Sequence, residues 1–473
     1  MPCQLPADCL NEIFEYLEKD KVTLHSCLLV NRLWCEVSVR ILWRNIWIVN
    51  PVDYGHRLKV GLSILSTLIA CLPNKSKIHL YEKGILNSND ISKTTPLFDY
   101  ASFCKVLSIH GIGRIIVDVF KNHKYLAKEI IKMFMTKFSL KKLSYYTNSN
   151  TVNLSFIRYP GAKDCLRNLS KFSCNSNVKP AFFYKLSQIC HNIQSLTIEF
   201  KSVVSNGLKD LISSQNSLKY LSLSQTYGVA DWTDIIPSLS KHSSTLIKLK
   251  IYGSEYYRNR PLSFVTRFTN LQELVLSFRY KYYFDELNNN LQYVTFPHLK
   301  ILKFPYAYPD DDILIKFLEN NGKNLIEIYI NSSDSLNLSI AKFCPNLKSL
   351  YTLFKFDKIE TLKIILNDCQ QLESIETQYI YDFLSEKELL ETLAKYSPKN
   401  FYRLKLINYS DSKLVPKDLE EFFSNWKNRV PLKSFSFIIR RWNNSLESKE
   451  GNMKVIEKYK KLGIIKKFET ILY

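Results

Sequence analysis

The sequence is poor in glycine. Only 12 of its 473 residues are glycine, well below the usual fraction of roughly 7%. Only Gly111 and Gly113 lie close together, so neither GxGxxG nor GxxxxGK occurs to bind a nucleotide phosphate. GxSxG and HExxH are also absent, and the eight histidines are isolated from one another. We therefore predict a protein that is not an enzyme, with no catalytic residue, no metal site and no cofactor.

Paired cysteines and long apolar runs are lacking as well. Eleven cysteines are scattered from Cys3 to Cys369 without a CxxC pair, which favours reduced thiols over a disulfide or zinc framework. The longest apolar stretch, 61–72, has 12 residues, fewer than the roughly 18 that suggest a membrane span. Acidic Asp8 and Glu12 stand where a signal peptide requires a basic start. We expect a soluble protein of the cytoplasm or nucleus, without a membrane partner.

Acidic residues are outnumbered by basic ones. Lys and Arg total 65 against 44 Asp and Glu, a net charge of +21. The first 50 residues contain five basic and six acidic side chains, so the excess lies wholly beyond them. Such a charge favours an acidic partner, with an attraction that salt weakens. A basic nucleic-acid binder is the less favoured alternative.

The first 47 residues contain more apolar side chains than three short helices can bury. Leu10, Ile13, Phe14 and Leu17 recur at i, i+3, i+4 and i+7, the spacing of one helix face. Two further apolar sets follow, and a segment of about 40 residues lies near the size below which a core rarely holds a fold alone. We predict three helices that bind another protein. The alternative is a helical cap on the domain that follows.

This segment resembles the F-box. The resemblance rests on a Leu-Pro start with a nearby acid, an Ile-Phe pair followed by Leu, a Leu-Val-Asn-Arg-x-Trp stretch and a closing Leu-Trp-Arg; these are Leu5, Pro6, Asp8, Ile13, Phe14, Leu17, residues 29–34 and residues 42–44. It implies binding to a Skp-type adaptor and through it to a cullin-RING ubiquitin ligase. The adaptor-binding residues that it implies are Leu5, Pro6, Ile13, Leu17, Leu28, Val30, Trp34 and Trp43.

An apolar-x-x-apolar-x-apolar phrase recurs through the rest of the chain. Clear copies begin at residues 193, 218, 246, 271, 299, 325, 401 and 432, and weaker copies at 104, 140, 169, 347 and 372. The eight intervals between residues 169 and 372 average about 25 residues, a period typical of leucine-rich repeats. Amphipathic helical segments separate several copies. We predict about ten to thirteen repeats, in which helices connect parallel strands.

The chain as a whole resembles F-box proteins that carry leucine-rich repeats. The resemblance implies an α/β fold: a three-helix F-box at 1–47, a helical linker or irregular first repeat at 48–103, and a leucine-rich-repeat solenoid with a terminal cap at 104–473. Strands would line the concave face and helices the convex face. The implied function is substrate recognition for an SCF-type ubiquitin ligase. A repeat scaffold that binds protein without ubiquitin transfer is the alternative.

Side chains between the leucine positions of each phrase should point away from the core. The central outward position is aromatic or basic in several copies, and aromatic and basic residues combine contact area with polar groups. We predict contact with an unidentified target protein for Lys250, Lys303, Tyr329, Tyr351 and Lys405. An ordinary solvated strand face is the alternative.

A helix predicted at 121–138 is a second candidate surface. Four lysines share one of its faces and could meet phosphates or acidic side chains; they are Lys121, Lys124, Lys128 and Lys132. A merely solvated charged face is the more ordinary interpretation.

Overall fold

The computed structural model describes residues 5–47, 54–88, 96–120, 124–137, 139–147, 156–225, 231–253, 262–355, 358–379, 384–441 and 446–472. The chain divides into two compact units, Met1–Leu239 and Ser240–Tyr473. Both are built mainly from alternating strands and helices.

The first unit begins with helices. Three short helices come first, followed by two more: α1 (Ala7–Glu15), α2 (Lys21–Cys27), α3 (Arg32–Trp43), α4 (Tyr54–Ala70) and α5 (Asn74–Glu82). A 3-10 turn, Tyr100–Phe103, precedes the first strand. The segment predicted as a linker therefore contains two helices within its described residues.

Five strands complete the first unit. They are β1 (Val106–Ser108), β2 (Lys142–Tyr145), β3 (Lys171–Asn175), β4 (Ser195–Phe200) and β5 (Tyr220–Gln225). The helices after and between them are α6 (Ile109–Phe120), α7 (Lys124–Lys137), α8 (Ala162–Leu166), α9 (Pro180–Ile189) and α10 (Gly207–Ser213). A short helix, α11 (Ile236–Ser240), lies where the chain passes from one unit to the other.

The second unit has nine strands among its described residues: β6 (Lys248–Tyr252), β7 (Glu273–Ser277), β8 (Ile301–Phe304), β9 (Glu327–Ile330), β10 (Ser349–Tyr351), β11 (Ser374–Tyr379), β12 (Arg403–Asn408), β13 (Phe435–Arg441) and β14 (Ile465–Leu472). Its helices are α12 (Asp285–Leu291), α13 (Asp311–Asn321), α14 (Asp334–Phe343), α15 (Ile359–Asp368), α16 (Glu386–Tyr396), α17 (Pro416–Lys427) and α18 (Glu450–Lys461). Each helix carries the chain back so that the next strand can run parallel.

Within each unit, successive strands pair in parallel. From β1 to β5 and from β6 to β12 they pair at equivalent positions of the phrase, whereas from β12 to β13 the alignment shifts by two residues, because Leu404 pairs with Phe437 rather than with Phe435. In the first unit the register joins Leu107, Leu143, Phe172, Leu196 and Leu221 in one row. In the second it joins a row of nine apolar residues: Leu249, Leu274, Leu302, Ile328, Leu350, Ile375, Leu404, Phe437 and Phe468. Because side chains alternate between the two faces of a strand, these rows face the helices, and all of their members except the half-buried Phe468 belong to the core.

Buried amides connect neighbouring repeats at the ends of helices. The Gln215 side chain accepts from the backbone N–H of Ile193 and donates to the carbonyl of Cys190, each at 2.9 Å. Asn321 does the same in the second unit, accepting from the N–H of Phe296 at 2.6 Å and donating to the carbonyl of Val294. A buried backbone N–H or carbonyl without a hydrogen-bond partner would be unfavourable. The side chains of Gln215 and Asn321 provide partners for these backbone groups.

The prediction of repeated strands and helices is confirmed. Each of the thirteen phrases coincides with one of β1 to β13, and the helical segments predicted between several copies are present, among them α9, α13, α15 and α16. The tail predicted as a terminal cap forms α18 and a fourteenth described strand, β14, that continues the parallel pairing. Among the described cysteines, Cys9 is exposed and Cys35 half-buried, whereas the others are buried.

Removal of one core leucine tests the stacked rows. We expect Leu221→Ala to lower the free energy of unfolding by about 2–5 kcal/mol, because Leu221 is buried in the row that continues from Leu196 and the smaller side chain leaves a cavity. Chemical denaturation measures the change. The matched control is Leu62→Ala on α4, whose side chain is exposed; equal destabilisation by both substitutions would contradict the assignment of Leu221 to the core.

Candidate functional site

Polar caps define the three N-terminal helices. Pro6 immediately precedes α1, where the missing N–H of a proline is harmless. The Asp20 carboxylate accepts from the backbone N–H of Thr23 at 3.0 Å and so caps α2. Asn31 caps α3 in the same way, because its side-chain oxygen accepts from the N–H of Trp34 at 2.9 Å. The asparagine in the Leu-Val-Asn-Arg-x-Trp stretch is therefore the point at which the third helix begins.

These helices have a small core of their own. The Phe14 and Trp34 rings meet edge to face, with centroids 5.0 Å apart, and the buried residues around them are Leu10, Leu24, Cys27, Val37, Ile41 and Leu42. The residues partly buried against this core are Leu17, Leu28, Leu33, Trp34 and Trp43. The N-terminal segment thus buries one set of apolar side chains internally.

An ion pair fastens the end of α3 to α1. The Arg44 guanidinium donates two hydrogen bonds to the Glu15 carboxylate, at 2.6 and 2.7 Å, and approaches Glu18 at 3.5 Å. Hydrogen bonding by Arg44 lowers the pKa of Glu15 below its ordinary value, although partial burial acts in the opposite direction. Such a bidentate pair fixes geometry as well as adding attraction.

The same helices leave a second apolar set in solvent. Tyr16 and Leu29 are 92% and 89% exposed, and the complete set, named here the N-terminal apolar surface, comprises Leu5, Ile13, Tyr16, Val22, Leu29 and Val30. Single exposed apolar residues are ordinary, but a concentration on a few short helices is typical of an interaction surface.

The eight residues predicted to bind an adaptor fall into three groups. Leu5, Pro6, Ile13 and Val30 are exposed. Leu17, Leu28 and Trp34 pack partly against the core of the three helices. Trp43 also packs partly against that core, and in addition its ring packs on Tyr100 with centroids 4.8 Å apart.

Three exposed residues of the surface were absent from the predicted set. Tyr16 lies beside the apolar stripe of α1 rather than in it, Val22 is in the first turn of α2, and Leu29 follows α2 within the F-box-like stretch. Leu29 could have been found, because the stretch that contains it was already identified. Tyr16 and Val22 carry no comparable signal.

The predicted target-binding lysines form ion pairs across neighbouring strands. Lys250 contacts Glu273 at 2.6 Å, and Lys303 contacts Glu327 at 2.6 Å. Lys405 contacts Glu376 at 3.2 Å. Each carboxylate lies on a strand adjacent to that of its lysine, so the expected basic strip is neutralised by the protein itself.

The two predicted target-binding tyrosines stack on each other. The rings of Tyr329 and Tyr351 are 3.7 Å apart at their centroids and inclined by only 5°. Tyr351 is only 3% exposed, and its hydroxyl accepts a hydrogen bond from Gln378. Burial raises the pKa of Tyr351. The exposure predicted for Tyr351 is therefore wrong, because Tyr329 covers its ring and Gln378 engages its hydroxyl.

The lysine-bearing helix has the predicted two-sided character. Lys124, Lys128 and Lys132 are exposed, and Lys132 approaches Glu129 at 3.8 Å. Lys121 and Phe138 lie outside the described residues. Within the described ranges, no group of three or more His, Cys, Asp or Glu side chains could hold a metal ion, and no described helix combines the length and apolarity needed to cross a bilayer.

Comparison with known proteins gives no family. No protein-family model matches the sequence, and no curated protein matches it. The leucine-rich repeat-containing protein LegL7 from Legionella pneumophila is 13% identical with a TM-score of 0.35, over 64% of this chain and 96% of that one. An internalin, inlF, from Listeria monocytogenes is 12% identical with a TM-score of 0.30, over 72% of this chain and 88% of that one. With such TM-scores, neither likeness supports a conclusion about function.

Replacing both lysines that contact Glu273 tests whether their ion pairs with this carboxylate stabilise the protein. Burial acts to raise the pKa of Glu273, but hydrogen bonds from Lys250 and Lys248 outweigh it and lower the pKa below its ordinary value. We expect Lys248→Ala/Lys250→Ala to destabilise the protein by roughly 3 kcal/mol at neutral pH, because a buried carboxylate then lacks its partners. Chemical denaturation between neutral and acidic pH measures this.

The pH dependence of the free energy of unfolding follows from the lowered pKa of Glu273. In the natural protein, the stabilisation from Glu273 is present above its unfolded-state pKa and is lost as the pH falls through the lower folded-state pKa. In the double variant, burial raises the pKa of Glu273 without opposition from the two lysines. Protonation of Glu273 at acidic pH removes the buried charge and should therefore reduce the destabilisation. Lys348→Ala is the control, since its pair with Glu373 is largely exposed and should contribute less than about 1 kcal/mol. A pH-independent loss in the double variant would contradict the assignment.

Proposed function

We propose that this protein is a non-catalytic substrate-recognition subunit of an SCF-type ubiquitin ligase, acting in the cytoplasm or nucleus. The N-terminal helices bind a Skp-type adaptor and through it a cullin-RING ligase, while the strand–helix repeats bind a target protein. The protein performs no chemistry itself. Its contribution is proximity, because a target held near the ubiquitin-carrying enzyme is present at a high effective concentration.

The N-terminal apolar surface is the observation that carries this proposal. Six large apolar side chains are exposed on α1, on α2 and in the segments that flank them, although the three helices already possess an internal core. Full burial of one such side chain is favourable by roughly 1.5–3 kcal/mol. A cap that served only to cover the following repeats would direct its apolar residues toward those repeats. The exposed set instead favours a second protein as its partner.

A repeat scaffold that binds protein without ubiquitin transfer is the alternative. It shares the repeats and the protein-binding role but assigns the N-terminal apolar surface to a partner other than a Skp-type adaptor. Direct binding of purified adaptor distinguishes the two.

Truncation of two exposed side chains tests adaptor binding. We expect Leu5→Ala/Ile13→Ala to weaken binding of a purified Skp-type adaptor by at least about tenfold, because both side chains would be buried at the interface. Calorimetry or surface plasmon resonance measures the affinity. Both side chains are about half exposed in the free chain, so thermal unfolding should change little.

Ile78→Ala is the matched control. Ile78 is also 49% exposed but lies on α5, away from the three N-terminal helices in sequence, and its truncation should leave adaptor affinity unchanged. Trp34→Ala serves a different purpose, since the loss of its contact with Phe14 disturbs the helices themselves. Failure of the natural protein to bind the adaptor would reject the ligase proposal and leave the scaffold.

A further inference from the structure

Exposed tyrosines gather at the carboxyl ends of three consecutive strands in the second unit. Tyr252 ends β6, Tyr280 lies just beyond β7, and Tyr306 lies just beyond β8. Tyr280 is 42% and Tyr306 62% exposed, and Lys281 beside Tyr280 is also exposed. These four residues, named here the tyrosine edge, lie outside the apolar phrases from which the target-binding residues were predicted.

Backbone contacts hold the loops of the tyrosine edge together. The N–H of Gly253 donates to the carbonyl of Ser277 at 2.9 Å, and the N–H of Ala307 donates to that of Phe278 at 2.9 Å. The Phe278 ring lies so close to Gly253 that a Cβ added there would be 2.2 Å from it. A side chain at position 253 would therefore clash with the Phe278 ring, and these contacts fix Gly253, Phe278 and Ala307 relative to one another.

The rings themselves are arranged for contact. Tyr280 and Tyr282 are nearly parallel, with an interplanar angle of 12° and centroids 5.4 Å apart. The Lys281 ammonium lies 4.9 Å from the ring centroid of Tyr308. Among the described residues it has no carboxylate partner within ion-pair distance. This distinguishes Lys281 from Lys250, Lys303 and Lys405, which are neutralised by neighbouring glutamates.

We propose that the tyrosine edge is the target-binding surface, and that it binds a protein segment carrying a carboxylate beside a large apolar side chain. The inference rests on the proposed recognition function and names the site that performs it. Tyrosine supplies contact area with little entropy to lose, which is why it is enriched at protein interfaces. Lys281 provides the positive charge that a target carboxylate would meet.

A protein segment fits this surface better than a nucleic acid. The two helices that follow its loops begin with acidic residues, namely Asp285 and Glu286 on α12 and Asp310, Asp311 and Asp312 at the start of α13. A phosphate backbone carries one negative charge at every nucleotide and therefore requires a run of positive charge, which acidic surroundings do not provide. A protein segment can instead direct a single carboxylate to Lys281 and present uncharged apolar side chains to the tyrosines.

Selection of short peptides on the intact protein tests the proposal. A displayed library of random peptides is selected on the full chain, and the affinity of the selected peptides is measured by fluorescence anisotropy. We expect these peptides to combine an acidic residue with a neighbouring aromatic or large aliphatic one. Tyr280→Ala/Tyr306→Ala should weaken them by at least about tenfold, equal to about 1.4 kcal/mol.

A charge exchange makes the test specific for Lys281. Lys281→Glu should weaken the acidic peptides, and replacing their acidic residue by lysine should restore binding to this variant but not to the natural protein. The matched control is Tyr184→Ala/Tyr293→Ala, which removes two other exposed tyrosines and should leave affinity unchanged. Thermal unfolding of every variant identifies any that fails to fold. If a tyrosine variant fails to fold, the charge exchange at Lys281 still tests the proposal.

Three results would overturn the proposal: no peptide selected, equal binding by the tyrosine-edge and control variants, or preferential binding of an oligouridine that depends on the same tyrosines and falls steeply with salt. Adaptor binding is measured separately through Leu5 and Ile13. Rejection of the ligase proposal can therefore be distinguished from rejection of the tyrosine-edge proposal, because each is tested with its own binding partner and its own variants.

Discussion

Parallel pairing of successive strands is the constraint on which each unit depends. Because nearly all the described strand pairs align the same position of the apolar phrase, residues such as Leu249, Leu274 and Leu302 form one continuous buried row. A shift by one residue would turn a whole strand's leucines toward solvent. The backbone of each repeat is also satisfied by the next, through strand pairing and through buried amides such as those of Gln215 and Asn321. Packing and hydrogen bonding thus depend on the same alignment.

The register that buries leucines also determines what happens to charge on the opposite face. Positions equivalent in the phrase become spatial neighbours, so Glu376 on β11 lies 3.2 Å from Lys405 at the aligned position of β12. Arg440, farther along β13, also approaches Glu376 at 4.0 Å. Basic residues that look like a strip in the sequence therefore meet carboxylates once the strands pair. The net charge of +21 is consequently a poor guide to this face. Loops beyond the strands are free of this alignment, which is why Lys281 can remain without a described carboxylate partner.

Prediction from sequence succeeded where the signal was local. A six-residue phrase reports the alternation of one strand, and all thirteen copies are strands. It failed where a side chain's surroundings come from distant residues. Trp43 packs on Tyr100, and Tyr351 is buried against Tyr329 from the preceding strand; neither contact can be inferred before the register is known. Tyr280 and Tyr306 lie in the loops beyond β7 and β8, where the repeated phrase carries no information.

The N-terminal helices are linked to the repeats by specific contacts rather than by the chain alone. The carbonyl of Arg44, at the end of α3, accepts from the N–H groups of Lys105 and Val106 at the start of β1. The indole of Trp47 donates to the carbonyl of Val106 at 2.6 Å. Arg44 is also the residue whose side chain holds Glu15 on α1. One residue therefore fixes the helix that carries Ile13 and pairs with the first strand, so that a partner bound to the N-terminal apolar surface would have a defined orientation relative to the strands of the first unit.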